Sequence, residues 1–298
     1  MILMNFPFFT SPLLDKKCEA LQKVLSPHDS VALAYSGGVD SSFLAWFIRH
    51  VLKKELSAFF VLSPFVSRRE HNNALRVAEE IGLKPEEIAL DVLRVDRVRE
   101  NSVERCYFCK KEIMTHIGKR ARELKCSALV DGTNAGDSKG YRPGHRALGE
   151  LGVLSPLALA GLEKAQIREL SRLAGLSTWN KPSQSCLATR IPYATPLTPE
   201  ALSRVEKAEA FLWDLGCEQV RVRVHGGDLA RIEVNPEAFA MLFRDDNRSR
   251  ILRFCRQVGF AHVSLDLAGF HSGCWDNLAA PPKDSMEHRT TRLSPESS

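Results

Sequence analysis

The chain has 298 residues, 44% hydrophobic and 26% charged, with a formal net charge of +5. This suits a soluble globular protein with a sizeable core and room for two domains. It excludes a membrane-spanning chain, because no apolar run is long enough, and the modest positive charge does not by itself imply nucleic acid.

The first fifteen residues hold Ile2, Leu3, Phe6, Phe8 and Phe9, but they lack a basic start and are broken by Pro7 and Pro12. They make a poor signal peptide, and the expected compartment is the cytosol. Eight cysteines in that compartment are not a disulfide framework. Cys18, Cys126, Cys217, Cys255 and Cys274 belong to no motif and are expected as small buried hydrophobes.

Residues 15–25 place Cys18, Leu21, Val24 and Leu25 on one helical face. Val31 to Tyr35 reads as a buried strand, and Phe43, Leu44, Trp46, Phe47 and Val51 then recur at helical spacing. Between them lies Ser36-Gly37-Gly38-Val39-Asp40-Ser41-Ser42. Glycine allows a sharp turn and a close approach to a ligand, and a helix start offers unpaired N–H groups to an anion. The loop is therefore a candidate phosphate cradle, and without a Gly-Lys-Ser/Thr ending it is not a Walker loop. It resembles the PP-loop of ATP pyrophosphatases, which activate a substrate by adenylation and release pyrophosphate. The resemblance implies that Ser36, Gly37, Gly38, Ser41 and Ser42 hold phosphate and that Asp40 helps bind Mg²⁺.

Residues 57–62 form a second buried strand, 69–81 a helix stopped by Gly82, and 87–92 a third strand. The alternation argues for a parallel α/β sheet, whose ligands bind beyond the carboxyl ends of its strands. Ser63 sits at one such end, where PP-loop relatives bind adenine. Residues 105–124 form a helix opened by Cys106 and Cys109. A fourth strand at 128–131 leads into Gly132, Thr133, Asn134 and Asp137, with Arg142 close behind. Those polar residues form either a plain loop or a site for ATP and an adenylated substrate, with Asp137 for metal or ribose and Arg142 for phosphate. Leu154 to Leu157 is expected to be extended and 163–174 helical. The stretch from Trp179 to Tyr193, with Cys186 and Arg190, is too rich in special residues to be a mere linker.

After Pro196 the character changes. Thr198 and Pro199 start a helix to Leu215. Residues 219–224 and 229–234 alternate, predicting a hairpin with one apolar face; Arg221, Arg223, Arg231 and Glu233 make the other, either solvated or phosphate-binding. Helices at 236–244 and 248–258 and a strand at 262–267 complete a small α+β unit. The expected division is 1–195 and 196–273, with 274–298 a disordered tail.

Cys106 and Cys109 have the gap that lets two thiolates reach one metal or each other. Residues 94–125 hold ten Lys/Arg against five Asp/Glu, which lowers thiol pKa values. A zinc site would want four ligands. An iron–sulfur site needs only Cys106, Cys109 and a third cysteine, for which Cys186 is the natural candidate.

Taken together, the phosphate loop, residues 105–110, 132–134, 181–193, 221–223, 230–234 and 265–270 resemble the LarE family, over about residues 15–272. The Gly226-Gly227 turn is one residue longer than usual. The resemblance implies an ATP-dependent sulfurtransferase of nickel-pincer cofactor synthesis, acting on pyridinium biscarboxylate mononucleotide, with Cys186 as attacking sulfur. In one branch of the family that cysteine becomes dehydroalanine; in another, three cysteines hold a [4Fe-4S] cluster. This sequence has all three, so the resemblance implies the cluster branch. The resemblance also implies a metal or cation at Glu209 and Glu233, with Glu206 an alternative to Glu209. It implies phosphate on Arg221 and Arg223, a sulfide or persulfide donor, and a homo-oligomer. Rival readings are a PP-loop tRNA thiolase, an amidating ligase of the NAD or GMP synthase type, and a non-enzymatic nucleotide-binding module.

Overall fold

The structure is a computed structural model that describes residues 11–139, 143–182 and 184–270. Arg142, Cys274 and the expected tail 274–298 lie outside those residues. The first half runs α1 (Pro12–Leu25), β1 (Ser30–Ala34), α2 (Val39–Trp46), β2 (Glu55–Leu62), α3 (Arg68–Glu80), β3 (Glu86–Ala89), α4 (Asp96–Arg99), α5 (Arg105–Glu123) and β4 (Ala128–Val130). It continues through α6 (Pro143–Glu150), α7 (Pro156–Leu159) and α8 (Lys164–Leu173). The second half comprises α9 (Pro199–Asp214), β5 (Val220–His225), β6 (Leu229–Val234), α10 (Phe239–Leu242), α11 (Asp245–Gln257) and β7 (His262–Leu265).

Local chemistry explains the ends of these elements. Pro12 starts α1, and Leu14, Cys18, Leu21 and Leu25 bury its inner face. Ser67 caps α3 by accepting from Glu70 N, Thr198 caps α9 by accepting from Ala201 N, and Glu163 and Gln166 form a capping box on α8.

The first sheet has the order β3-β2-β1-β4, with all its pairings parallel. β2 and β3 extend to one side of β1, and β4 lies on the other. The chain thus reverses its winding between β1 and β4, and that switch opens a crevice at the strands' carboxyl ends. Val31, Leu33, Phe43, Leu44, Phe47 and Ile48 form the centre of one core. A second core gathers Val205, Leu212, Val220, Val222, Ile232 and Ile251, and takes in Leu187, Ala188, Ile191 and Leu197 from the chain ahead of α9. The second sheet has the order β5-β6-β7, β5 antiparallel and β7 parallel to β6. Among the described residues no helix is long and apolar enough to cross a membrane.

Several expectations need correction. The third strand ends at Ala89, because Asp91 Oδ1 accepts from Leu93 N and starts a 3₁₀ turn. Leu154 does bridge to Val130, but Pro156 then opens a helical turn instead of continuing an extended piece. Residues Pro143–Glu150, to which the sequence pattern assigned no element, form α6. The helix expected at 236–244 is a 3₁₀ turn at Pro236–Ala238 followed by the short α10. The largest change is in the hairpin, where Arg221, Arg223 and Glu233 are as buried as the valines between them. The segment around residues 187–190 covers the face that alternation left open.

Candidate active site at the strand ends

The chain leaves β1 through Ser36, Gly37 and Gly38, and α2 begins at Val39 with Gly38 as its cap. Gly37 has φ +66, and a Cβ there would lie 2.5 Å from the Ala74 Cα of α3. Ser41 Oγ accepts from Ser36 N at 3.2 Å and lies 3.0 Å from Ser36 Oγ, so the loop is tied back onto its helix. Gly132, after β4, comes so close that a Cβ would meet Ser41 N at 2.9 Å. Thus two crossing loops converge on the first turn of α2, where the helix start favours an anion. Ser42 is fully buried beneath the loop.

Asp40 Oδ2 accepts from Lys164 Nζ at 2.5 Å, while Asp40 Oδ1 is buried and has no partner. Burial pushes the Asp40 carboxyl above its ordinary range, Lys164 opposes that, and Asp137 adds to it. An orphaned carboxylate oxygen beside a phosphate cradle, with a second carboxylate near, is a donor set that fits Mg²⁺. Asp137 Oδ2 accepts from the backbone N and side-chain Nδ2 of Asn134, and Asp131 accepts from Thr133. Lys181 Nζ donates to Gly37 O at 3.4 Å and pairs with Glu70 at 3.2 Å. Lys164, Lys181 and Glu70 are residues that sequence reasoning missed. Only the place of Lys181 beside the Cys186 stretch gave any signal.

A cavity of about 290 Å³ opens from this cradle. Of the expected site residues, Ser36, Cys186, Arg190 and Glu209 line it; Phe60, Val61, Ile113 and Met114 give it an apolar wall. Ser63 does not line it. Its hydroxyl instead accepts from Phe65 N in the turn after β2, while Ser67 lines the cavity.

Cys186 precedes a 3₁₀ turn at Leu187–Arg190, pinned to the turn after β2 by Leu187 N donating to Phe65 O. Cys106 and Cys186 are exposed and Cys109 is half-buried. Burial pushes the Cys109 thiol up to about 12, with the charges of Cys186 and Cys106 adding to the effect. Arg105, another residue not singled out from sequence, is buried beside both exposed cysteines and donates to Ala188 O at 3.3 Å. Its position directly before Cys106 was the available signal. Three sulfurs in electrostatic reach of one another are the right donors for a [4Fe-4S] cluster. As placed, however, no three His, Cys, Asp or Glu side chains among the described residues form a group that could hold a metal ion. Of the cysteines outside these motifs, Cys18, Cys217 and Cys255 are buried and Cys126 is half-buried.

Glu209 and Glu233 do not present open metal ligands. Glu209 takes Nε and Nη2 of Arg190 at 2.8 and 3.1 Å and also accepts from Val222 N. Glu233 takes Nε and Nη2 of Arg223 at 3.0 and 3.1 Å, with Arg231 also on Oε1. A metal would have to displace those guanidinium groups. Arg223 is likewise turned inward and donates to Thr189 O instead of facing a free phosphate. Arg221 stacks on Phe270 and is pushed down to about 10, by burial first and then by Arg190 and Arg223. Glu206 Oε1 accepts from Arg68 N.

A profile described as NAD synthase matches residues 13–134. That match spans the cradle and ends before Cys186. The chain is 37% identical over 88% of its length to an uncharacterized protein of Synechocystis, slr1717, covering 97% of it. It is 34% identical over 87% of its length to the pyridinium-3,5-bisthiocarboxylic acid mononucleotide synthase of Lactiplantibacillus plantarum, covering 94% of that enzyme. It is also 29% identical over 81% of its length to an uncharacterized protein of Methanocaldococcus jannaschii, MJ0830. With nearly the full length of the synthase matched, sulfur turn and second sheet included, the chain belongs to the LarE family of PP-loop enzymes.

Proposed function

We propose that this protein is an ATP-dependent sulfurtransferase that adenylates a carboxylate of pyridinium-3,5-biscarboxylic acid mononucleotide and converts it to a thiocarboxylate, in nickel-pincer cofactor synthesis. The observation that carries the reading is the shared cavity: Ser36 of the phosphate loop and Cys186 line the same space. The loop amides and the Ser36 and Ser41 hydroxyls hold the phosphates, Ser42 supports the loop from below, and Lys164 and Lys181 offset the charge of the departing pyrophosphate. The substrate carboxylate attacks the α-phosphorus and pyrophosphate leaves. Sulfur then attacks the acyl carbon and AMP leaves, a better leaving group than oxide. Asp40, with Asp137, would hold Mg²⁺, which would supply neutralisation of phosphate charge when bound. Thr133, Asn134 and Arg142 complete the nucleotide side.

Two routes for the sulfur start from Cys186 at this cavity, the second requiring the three cysteines to come closer together than they stand. In the first, the Cys186 thiolate forms a thioester; loss of its Cα proton and cleavage of its Cβ–S bond then release the thiocarboxylate and leave dehydroalanine. In the second, Cys106, Cys109 and Cys186 would hold a [4Fe-4S] cluster, which would supply sulfide as the nucleophile in place of the thiol, its source a sulfide donor or a persulfide donor together with a thiol reductant. Residues 1–195 serve as the nucleotide unit and 196–273 as the smaller unit, in a homo-oligomer of the cytosol.

The test is anaerobic purification with iron and sulfide analysis, then intact mass after turnover. Protein that loses the mass of H₂S has used Cys186; iron and labile sulfide with no mass change mark the cluster route. Cys186→Ala and Asp40→Ala are each expected to abolish thiocarboxylate formation, and full turnover in either refutes the assignment. The NAD synthase match supports one second reading, an amidating ligase. Such an enzyme would keep its activity in Cys186→Ala.

A further inference from the structure

The turn that carries Cys186 is gripped by its backbone. Arg190 Nη1 donates to Ser185 O at 2.8 Å and Cys186 O at 3.2 Å. Arg105 Nη1 donates to Ala188 O at 3.3 Å, and Arg223 Nη1 to Thr189 O at 2.6 Å. Three buried guanidinium groups, from α5, from the turn itself and from β5, thus take the carbonyls of this short segment. Each is fixed from behind: Arg190 by Glu209, Arg223 by Glu233, and Arg105 by Asn101 Oδ1. The carboxylates are in turn tied to the second sheet, Glu209 through Val222 N and Glu233 through Arg231. A clamp on the carbonyls leaves the Cys186 side chain exposed at the cavity rim.

Apolar groups of similar volume would bury this face at no electrostatic cost, since a buried ion pair is a poor source of stability. What a guanidinium adds is direction, because its planar fork holds an acceptor at one position.

We infer that Glu209 and Glu233 are positioning residues for the sulfur step: through Arg190 and Arg223 they fix the 185–189 backbone so that the Cys186 thiol stays at the rim of the cavity shared with Ser36. The second sheet, on this view, contributes aim to the reaction. The inference rests on the sulfurtransferase reading for its chemistry, and on the hydrogen bonds alone for the clamp.

The experiment compares full-length wild type with Glu209→Gln and Glu233→Gln. Adenylation is followed as substrate-dependent ATP–pyrophosphate exchange, sulfur transfer as thiocarboxylate formed, and the clamp as amide hydrogen exchange across 184–191. Both variants are expected to keep exchange within about twofold and to lose about 100-fold in thiocarboxylate formation, the scale of an ångström of misplacement. Hydrogen exchange at 184–191 should quicken about tenfold, with the α2 and α3 peptides unchanged. If either carboxamide fails to fold, Glu209→Leu with Arg190→Met, or Glu233→Leu with Arg223→Met, removes the clamp without stranding a buried charge, and the same split is expected. A parallel fall in both half-reactions means a structural role only and overturns the inference. So does an unchanged sulfur step with a loosened turn, or recovery at raised Mg²⁺, which would make the carboxylates metal ligands. Wild type that performs neither half-reaction sinks the sulfurtransferase reading, while the hydrogen-exchange arm still decides on the clamp.

Discussion

Replacing Gly37 with alanine tests whether the phosphate loop depends on contact with α3. At φ +66 an alanine costs about 1 kcal/mol relative to glycine. Its Cβ would also lie 2.5 Å from both Cα and Cβ of Ala74, and one of those atoms belongs to the α3 backbone. Relief requires moving the loop or the helix, for which overpacking costs of about 1–3 kcal/mol apply. The sum is about 2–4 kcal/mol, which in a domain of this size lowers Tm by roughly 4–16 °C. Because the loop is tied to α2 through Ser36 and Ser41, its displacement also misaligns the anion site. Calorimetric melting and ATP titration of the purified variant read both effects. Ala74→Gly in the same chain removes only the Cβ part of the clash and should recover part of the loss. An unshifted Tm with wild-type ATP affinity would refute the loop–helix contact and the reasoning built on it.

Other consequences follow from single contacts. Gly132→Ala puts a methyl 2.9 Å from Ser41 N, so ATP affinity should fall about tenfold with a smaller change in Tm; unchanged binding would mean that the β4 loop does not need to close on α2. With its thiol near 12, Cys109 holds a thiolate fraction of about 10⁻⁴ at pH 8, and iodoacetamide should label exposed Cys106 and Cys186 first. Equal labelling of all three under native conditions would contradict that placement. Burial, then Arg231, lowers the pKa of His225 below 6.5. As pH falls below about 6.5 the unfolded chain binds a proton that the folded chain resists, so stability declines. His225→Gln should flatten the difference in denaturation midpoint between pH 7.5 and pH 5.5, and an identical slope in the variant counts against it.

Much of the nucleotide half was legible in the chain. The apolar run before Ser36, the helical spacing after Ser41 and the paired glycines act within a few residues, and such short-range constraints survive into the fold. The thiol pair at Cys106 and Cys109 is equally local. The partner of Asp40 was not legible, because Lys164 lies 124 positions away and reaches it only when α8 packs on α2. Alternation at 220–234 correctly announced a hairpin. It could not say that the arginine face would be covered, because the cover is a segment some thirty residues earlier, whose own sequence carries no apolar period.

The sequence alone determined the strand–glycine loop–helix that forms the candidate phosphate cradle and the motifs that carry Cys106, Cys109 and Cys186, because glycine conformation, helix starts and residue spacing are properties of residues and near neighbours. Only the tertiary structure decided that Glu209 and Glu233 face arginines and that Ser36 and Cys186 share a cavity. The physical reason is that a buried charge takes whichever opposite charge the packing of distant elements brings to it, and no local pattern records that choice.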